Sequence, residues 1–319
     1  VLGLGASGEA AARLLAREGT AVTVVDRAAG PEVARRAEAL TREGIHVKAG
    51  SEDLPDGAYD VCVTSPGIPS DSPWIRATEE KGIEVISELE LGASRTVCPL
   101  VAVTGSNGKS TLVQLCGQAL RECGCRVELT GNYGRPLSDF AMVSDRYQWG
   151  VVEVSSFQLE EVRDFRPRVG ALLNVNPNHL NRHGTMEEYV GVKSRLFRKM
   201  GQDDTAAVLD SESARVRKLA GNNARWVTFG LSESADYRYK DGAVLSGSSR
   251  EPVASLKGTL FANDVMGITA AAATAMVEAC GFKGSAVTAA VRNFKALAHR
   301  MNLVATVKGY AAHEREVLD

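Results

Sequence analysis

The sequence has no excess of charge of either sign: 37 Lys and Arg stand against 39 Asp and Glu in 319 residues, a formal net charge of −2. Without a basic surplus there is no electrostatic footprint for nucleic acid, and no charge run is long enough to form a tail. Long apolar runs are missing as well. The most apolar helical stretch, ITAAAATAMVEAC, is Ala-rich, short and broken by Glu278, so no segment is expected to cross a bilayer. Neither nucleic acid nor membrane is an expected partner. The first residues carry neither the basic nor the apolar region of a signal peptide. The chain has no initiator Met and starts on a strand-like pattern, so a few residues are expected ahead of Val1.

Cysteine is scattered over positions 62, 98, 116, 123, 125 and 280. Only Cys123 and Cys125 are close, and no second pair completes a zinc site. Free thiols in a reducing compartment are the expectation. No internal repeat stands out, and no Ser-His-Asp or Cys-His arrangement suggests a protein nucleophile.

What is present is a composition of 44% hydrophobic and 24% charged residues, that of a soluble globular protein, at a length that implies two domains with part of a third. Short β-rich runs alternate with helical patterns, which predicts parallel sheets with helices on their faces. In the first part, strands are predicted at 21–26, 60–65 and 82–87, with helices after Gly8 and over PEVARRAEALTREG. The segment LGASRTVCP interrupts this pattern near Leu91–Pro99. A second run of strands is predicted at 99–104, 126–129, 149–155, 168–175, 205–210 and 225–230, closed by the Ala-rich helix and SAVTAAVRNF.

Two glycine-rich turns carry the chemistry. In VLGLGASGEA, Gly3, Gly5 and Gly8 form G-x-G-x-x-G between a strand and a helix, a shape that presents backbone amides and a helix N-terminus to a diphosphate. With Asp26 ending the next strand, this pattern suits NAD(P), but nothing in it separates NAD from another nucleotide diphosphate. The second turn is VAVTGSNGKSTLVQL. An apolar strand runs into Gly105, Ser106, Asn107, Gly108, Lys109, Ser110 and Thr111, and a helix follows. Gly105 and Gly108 let successive N–H groups face one concavity. Lys109 can reach the β- and γ-phosphates, and a hydroxyl of Ser110 or Thr111 can ligate Mg²⁺. The loop is shorter than G-x-x-x-x-G-K-[ST], since Val103 occupies the position of its first Gly. It predicts a nucleoside triphosphate site.

T-G-S-N-G-K-S-T resembles the ATP loop of the Mur ligases, which build the peptidoglycan stem peptide. EVSSFQLE (153–160), LLNVNPNHLNRHGTMEEYVGVKSRLF (172–197), VTSPGIP (63–69), GNYGRPL (131–137) and LAHRM (297–301) extend the match over nearly the whole chain. The resemblance implies an α/β fold: a Rossmann-like domain with a parallel sheet over 1–92 that binds a UDP-sugar, and a central P-loop ATPase-like α/β domain over 93–300 that binds ATP. Residues 301–319 then lead toward a third, glutamate-binding domain, and a chain stopping there is expected to be inactive alone. The closest pattern is that of the member joining D-glutamate to UDP-N-acetylmuramoyl-L-alanine through an acyl phosphate. Such a protein is a bacterial cytoplasmic enzyme of peptidoglycan synthesis, expected here as a monomer.

The resemblance also implies roles. Lys109, Glu153, His179 and Lys193 form the catalytic set. Two Mg²⁺ ions are implied, held by Ser110, Glu153, His179 and Lys193, the last as a carbamate made from CO₂; the Tyr189-x-x-x-Lys193 spacing matches Lys193 to the family's lysine. ATP falls to residues 105–111 together with Asn263 and Arg300, and the UDP-sugar to Gly5, Ala6, Ser7, Asp26, Arg27, Ser65, Asn132 and Ser155. Several positions depart from the family. Asn178 and Asn181 replace two carboxylates, Leu260 and Phe261 stand at the His-Asn pair of the adenine element, and Ala298 replaces a Pro before His299 and Arg300. A non-catalytic nucleotide-sugar-binding homologue and an NAD(P) oxidoreductase are the alternative readings, although the latter leaves TGSNGKST without a purpose.

Overall fold

A computed structural model describes residues 1–247, 252–295, 300–307 and 310–315, the last two segments by their backbone only. In the N-terminal part, β1 (Thr23–Asp26) pairs in parallel with β2 (His46–Ala49), and β3 (Val61–Thr64) with β4 (Glu84–Ser87). Leu2 joins the two pairs by parallel bridges to Val25 and Thr64. Its N–H donates to Val63 O, and its carbonyl accepts from Ser65 N–H. The opening residues are thus the middle strand of a parallel sheet ordered β2-β1-Leu2-β3-β4. The helix Ala6–Arg17 packs on it through Ala10, Ala11, Ala12, Leu14 and Leu15, all buried.

The central part is a nine-stranded sheet. Its strands are β5 (Leu100–Thr104), β6 (Val127–Gly131), β7 (Trp149–Glu153), β8 (Val169–Leu172), β9 (Thr205–Leu209), β10 (Arg225–Gly230), β11 (Tyr237–Lys240), β12 (Ala243–Ser246) and β13 (Pro252–Ser255). The order is β13-β12-β11-β10-β9-β8-β5-β7-β6, parallel from β6 to β11 and antiparallel over the last three. Every residue of β5 is buried, as expected of a parallel strand covered on both faces. Val101, Val103 and Val151 face the helices Lys109–Glu122 and Asp264–Ala279, while Leu100, Ala102 and Val152 face Leu137, Phe140 and Phe197. The chain turns to one side of β5 for β6 and β7 and to the other for β8, which puts a topological switch point beside β5, where α/β folds bind ligands.

All the strands predicted from pattern are present. The predicted strand 168–175 ends at Leu172, because Leu173 and Asn174 fold against the 105–108 turn instead. Four further strands had no prediction: β2 in the N-terminal part and β11, β12 and β13 in the central part, each four residues long. A separate antiparallel hairpin, β14 (Arg300–Val307) with β15 (Tyr310–Arg315), also went unpredicted. Part of the apparent interruption at 91–99 is helical, in Glu88–Arg95. That helix is seated by two buried carboxylates. Glu90 accepts the N–H groups of Arg163, Asp164 and Phe165 at 2.9, 3.0 and 3.0 Å, and Glu88 accepts Ser138 N–H at 2.6 Å. All six cysteines are free, and among the described residues no helix is long and apolar enough to cross a membrane.

Candidate functional site

The 105–111 turn follows β5 at the switch point. Gly105 has φ +154° and Gly108 φ +78°. That left-handed backbone favours glycine at 108, and Leu173 packs close by, with Cδ2 2.8 Å from where a Cβ would stand. The helix Lys109–Glu122 then starts with its N-terminus facing the concavity, the arrangement that holds phosphate. Lys109 folds back over its own turn, and Nζ donates to Gly105 O and Ser106 O, both at 3.0 Å. Ser110 is buried and Thr111 half-buried in the first helical turn.

The turn is braced from downstream. Ser106 Oγ donates to Asn176 O and accepts Asn176 N–H, both at 2.9 Å, and lies 3.2 Å from Tyr189 Oη. Asn107 N–H donates to Asn174 Oδ1 at 2.9 Å, and Asn174 Nδ2 donates back to Asn107 O at 3.0 Å. Sequence reading gave Asn174 and Asn176 no role. Their alternation in NVNPN, just past a strand, was the available signal.

Lys193 is brought to the same turn. Thr185 and Glu188 form a capping box that starts the helix Met186–Ser194, whose last turn buries Lys193 to 1% exposure. Its Nζ donates to Gly105 O at 3.0 Å and lies 4.5 Å from the centre of the Tyr189 ring. Two lysines therefore share one carbonyl. Burial, reinforced by the neighbouring Lys109 charge, holds the Lys193 ammonium well below its ordinary range, which favours a neutral, nucleophilic amine.

Glu153 ends β7 beside β5 and is 3% exposed. Asn132 Nδ2 donates to Glu153 Oε1 at 2.9 Å, while Oε2 is buried with no hydrogen-bond partner among the described residues. A buried carboxylate oxygen without a partner is costly unless a cation or water completes it, so this donor set fits a hard metal ion. Among the described residues no three His, Cys, Asp or Glu side chains converge to hold a metal by themselves.

His179 sits in the left-handed region, φ +55°, where Asn178 Oδ1 accepts its N–H at 2.9 Å. A carboxylate could make that same bond, so Asn178 keeps the local turn while removing a charge. Burial, with the charges of Lys109 and Arg182, lowers the imidazole pKa of His179, which keeps it neutral and able to ligate. Arg182 forks onto Glu160 at 2.8 and 2.6 Å, and His183 Nε2 lies 3.0 Å from Ser156 Oγ. Ser155 closes the SSFQ turn on itself: Gln158 Oε1 accepts its N–H and hydroxyl at 3.0 and 3.1 Å.

The first glycine turn forms a second phosphate-type site. Gly3 has φ +89°, and a Cβ on Gly8 would lie 1.9 Å from Gly3 O. Gly5 and Ala6 are exposed and Ser7 half-buried at the N-terminus of Ala6–Arg17. Ser65 Oγ donates to Gly3 O at 3.2 Å. Asp26 braces the turn rather than standing open: Oδ2 accepts Leu4 N–H at 2.5 Å and Oδ1 accepts Ala28 N–H at 2.8 Å. Arg27 stacks its guanidinium 4.6 Å over Trp74.

Asn263 caps the helix Asp264–Ala279 by accepting Met266 N–H at 3.1 Å, and its Nδ2 donates to Leu260 O at 2.8 Å. Phe261 is fully buried against Phe294, a core position with no polar atom to read a base. Ala298, His299 and the side chain of Arg300 lie outside the described residues.

Comparison with known proteins matches this layout. Residues 1–87 match the family model "Mur ligase MurD-like, N-terminal domain" and residues 103–264 the model "Mur ligase middle domain". A UDP-N-acetylmuramoylalanine–D-glutamate ligase of Koribacter versatilis is 36% identical, with 97% of this chain and 69% of that protein covered. The protein of the same name from Geobacter metallireducens is 36% identical, over 98% of this chain and 70% of that one. Among solved structures, the UDP-N-acetylmuramate:L-alanyl-gamma-D-glutamyl-meso-diaminopimelate ligase of Neisseria meningitides shares the fold with a TM-score of 0.62 at 17% identity, covering 93% of this chain and 98% of that one. MurF ligase from Thermotoga maritima in complex with ADP gives 0.59 at 17% identity, over 92% and 67%. From both family models and relatives aligned over almost its whole length, the chain belongs to the Mur ligase family.

Proposed function

We propose that this chain carries the UDP-sugar and ATP sites of a ligase that joins D-glutamate to UDP-N-acetylmuramoyl-L-alanine, with residues 1–92 serving the sugar nucleotide and 93–300 serving ATP. The observation that carries the reading is the pair of glycine turns, at Gly3–Gly8 and Gly105–Thr111, each opening a helix at the carboxyl ends of its own parallel sheet. An oxidoreductase needs only the first. A ligase that activates a carboxylate with ATP needs both.

In this reading the γ-phosphoryl group passes to the substrate carboxylate, and the amine of D-glutamate then displaces phosphate from the acyl phosphate. The residues position and neutralise rather than attack. Backbone N–H groups of 105–111 cradle the phosphates, and Lys109, whose Nζ already lies over its turn, spreads positive charge over the transferring group. Asn132, held by Glu153, orients the reacting end of the sugar substrate. Gly5, Ala6 and Ser7 receive the UDP diphosphate, and Asp26 keeps their turn in shape. Ser110, Glu153 and His179, with Lys193 as its carbamate, would hold Mg²⁺, which supplies charge neutralisation on the phosphate oxygens. The lowered Lys193 pKa supports the carbamate, since only a neutral amine adds CO₂.

Isothermal titration of the 319-residue chain checks this directly. UDP-N-acetylmuramoyl-L-alanine and a non-hydrolysable ATP analogue should each bind at a stoichiometry of one, and NAD should not bind. Binding of NAD with no binding of the ATP analogue would overturn the reading.

A further inference from the structure

The two phosphate turns belong to different sheets, yet one side chain lies across the gap between them. Arg182, on the one-turn helix Leu180–His183, donates from Nη1 to Pro66 O and from Nη2 to Ile68 O, both at 3.0 Å. Its guanidinium is oriented by the Glu160 carboxylate on one edge and covers the Phe157 ring at 4.2 Å. The side chain is only 14% exposed, so water competes little for these bonds.

Pro66 and Ile68 belong to the turn after β3 whose first residue, Ser65, donates to Gly3 O of the sugar-nucleotide turn. On the other side, the segment leading to Arg182 is tied to the ATP turn, because Ser106 Oγ both donates to and accepts from the backbone of Asn176. A path therefore runs from the ATP turn by the Ser106–Asn176 bonds, the short backbone stretch 176–182 and the Arg182 fork to the diphosphate turn.

We infer that Arg182 is a positioning residue that sets the separation of the two nucleotide sites, so that the ligand in one prepares the other. This inference rests on the ligand assignment above. A guanidinium suits the task because its planar fork bonds a carboxylate on one edge and leaves further N–H donors for two carbonyls. A lysine could reach one carbonyl and would lose the fork on Glu160.

The test compares the wild-type chain with Arg182→Met, Arg182→Lys and Glu160→Gln. UDP-N-acetylmuramoyl-L-alanine is titrated calorimetrically with and without saturating AMP-PNP, and amide hydrogen exchange is followed in the absence of ligand. In the wild type each ligand should tighten the other by about fivefold or more, the usual lower range of coupling between sites. Arg182→Met should abolish that coupling while each single-ligand Kd stays within about threefold, far less than loss of a direct charged contact would cost. Arg182→Lys and Glu160→Gln should fall between. The amides of Ser65 and Ile68 should exchange faster in Arg182→Met, with β5 protection unchanged, which also shows that the variant is folded.

Wild-type coupling retained in Arg182→Met, no coupling in the wild type, or unchanged exchange at 65–68 would each overturn the inference. A large loss of single-ligand affinity would instead make Arg182 a ligand contact and also overturn it. Failure of the wild type to bind either ligand overturns the ligand assignment, and with it the coupling role, whatever the exchange data show.

Discussion

Replacing Glu88 by Gln should change the pH dependence of stability in a direction opposite to that of an ordinary salt-bridged carboxylate. Glu88 opens the helix Glu88–Arg95 and is 1% exposed. Its Oε1 accepts Ser138 N–H, but Oε2 is buried without a partner among the described residues. Gly92, one turn on, lets this helix approach the Leu137–Ser138 backbone so closely that a Cβ would lie 2.6 Å from Leu137 C. No room is left there for solvent. Burial, which outweighs the Ser138 hydrogen bond, pushes the carboxyl from its ordinary 4.5 up to about 7.

The folded chain therefore holds a proton that the unfolded chain has already released between those values, and stability falls as pH rises through this window. The gap corresponds to about 3 kcal/mol at about 1.4 kcal/mol per pH unit. Gln keeps an acceptor for Ser138 N–H and never ionises. Its extra N–H donors are left buried, which costs on the order of 1 kcal/mol at every pH. Urea unfolding at pH 5 and pH 8, followed by the fluorescence of Trp74, Trp149 and Trp226, should thus find Glu88→Gln slightly less stable than wild type at pH 5. At pH 8 it should be more stable by roughly 2 kcal/mol. A difference that stays constant across that range, or moves in the wild type's favour as pH rises, would refute the assignment of a buried, protonated Glu88.

Three further outcomes follow from the site. With ¹³C-bicarbonate, the wild-type chain should show a carbamate carbon resonance that Lys193→Arg lacks, because the guanidinium stays protonated where the buried amine does not; no resonance in the wild type would remove the carbamate. Gly8→Ala places a Cβ 1.9 Å from Gly3 O, and should lower the stability of the N-terminal sheet by about 2 kcal/mol or more. ATP-analogue affinity in that variant, measured by calorimetry, should remain. Asp26→Ala removes the acceptor for Leu4 and Ala28 N–H, so UDP-sugar affinity should drop about tenfold, the equivalent of one or two lost hydrogen bonds, with no gain of NAD binding.

The glycine turns were legible because their physics is local: a strand, a positive-φ glycine and a helix start lie within a few residues. Glu153 was implied by the family resemblance, and the sequence offers a physical reason beside it, a carboxylate ending an apolar strand near the phosphate turn. Lys193 was different. On sequence alone it is one more lysine on a helix, and only family resemblance singled it out, since the burial that changes its chemistry comes from a turn 88 residues away. Glu160, Arg182, Asn174 and Asn176 escaped for the same reason, as their partners are distant in the chain. Asp26 was read as a ligand contact. The structure shows both of its oxygens occupied by backbone N–H groups, a role that spacing does not reveal. Phe261, which the resemblance set at the adenine element, is fully buried and packs edge-on against Phe294.

The long-range bracing of the ATP turn has a consequence during synthesis. Leu173, Asn174, Asn176 and Lys193 all press on or bond to residues 105–108, so a nascent chain that has just displayed TGSNGKST holds only an unshaped loop. At translation speeds of roughly 5–20 residues per second, several seconds pass before Lys193 is even polymerised, and more before it clears the ribosome. The N-terminal sheet has all its strands by Ser87, although the turn after β3 still awaits Arg182. The diphosphate turn at Gly3–Gly8 should therefore take shape on the ribosome before the triphosphate turn, and UDP-sugar is the ligand that could first act as a folding template.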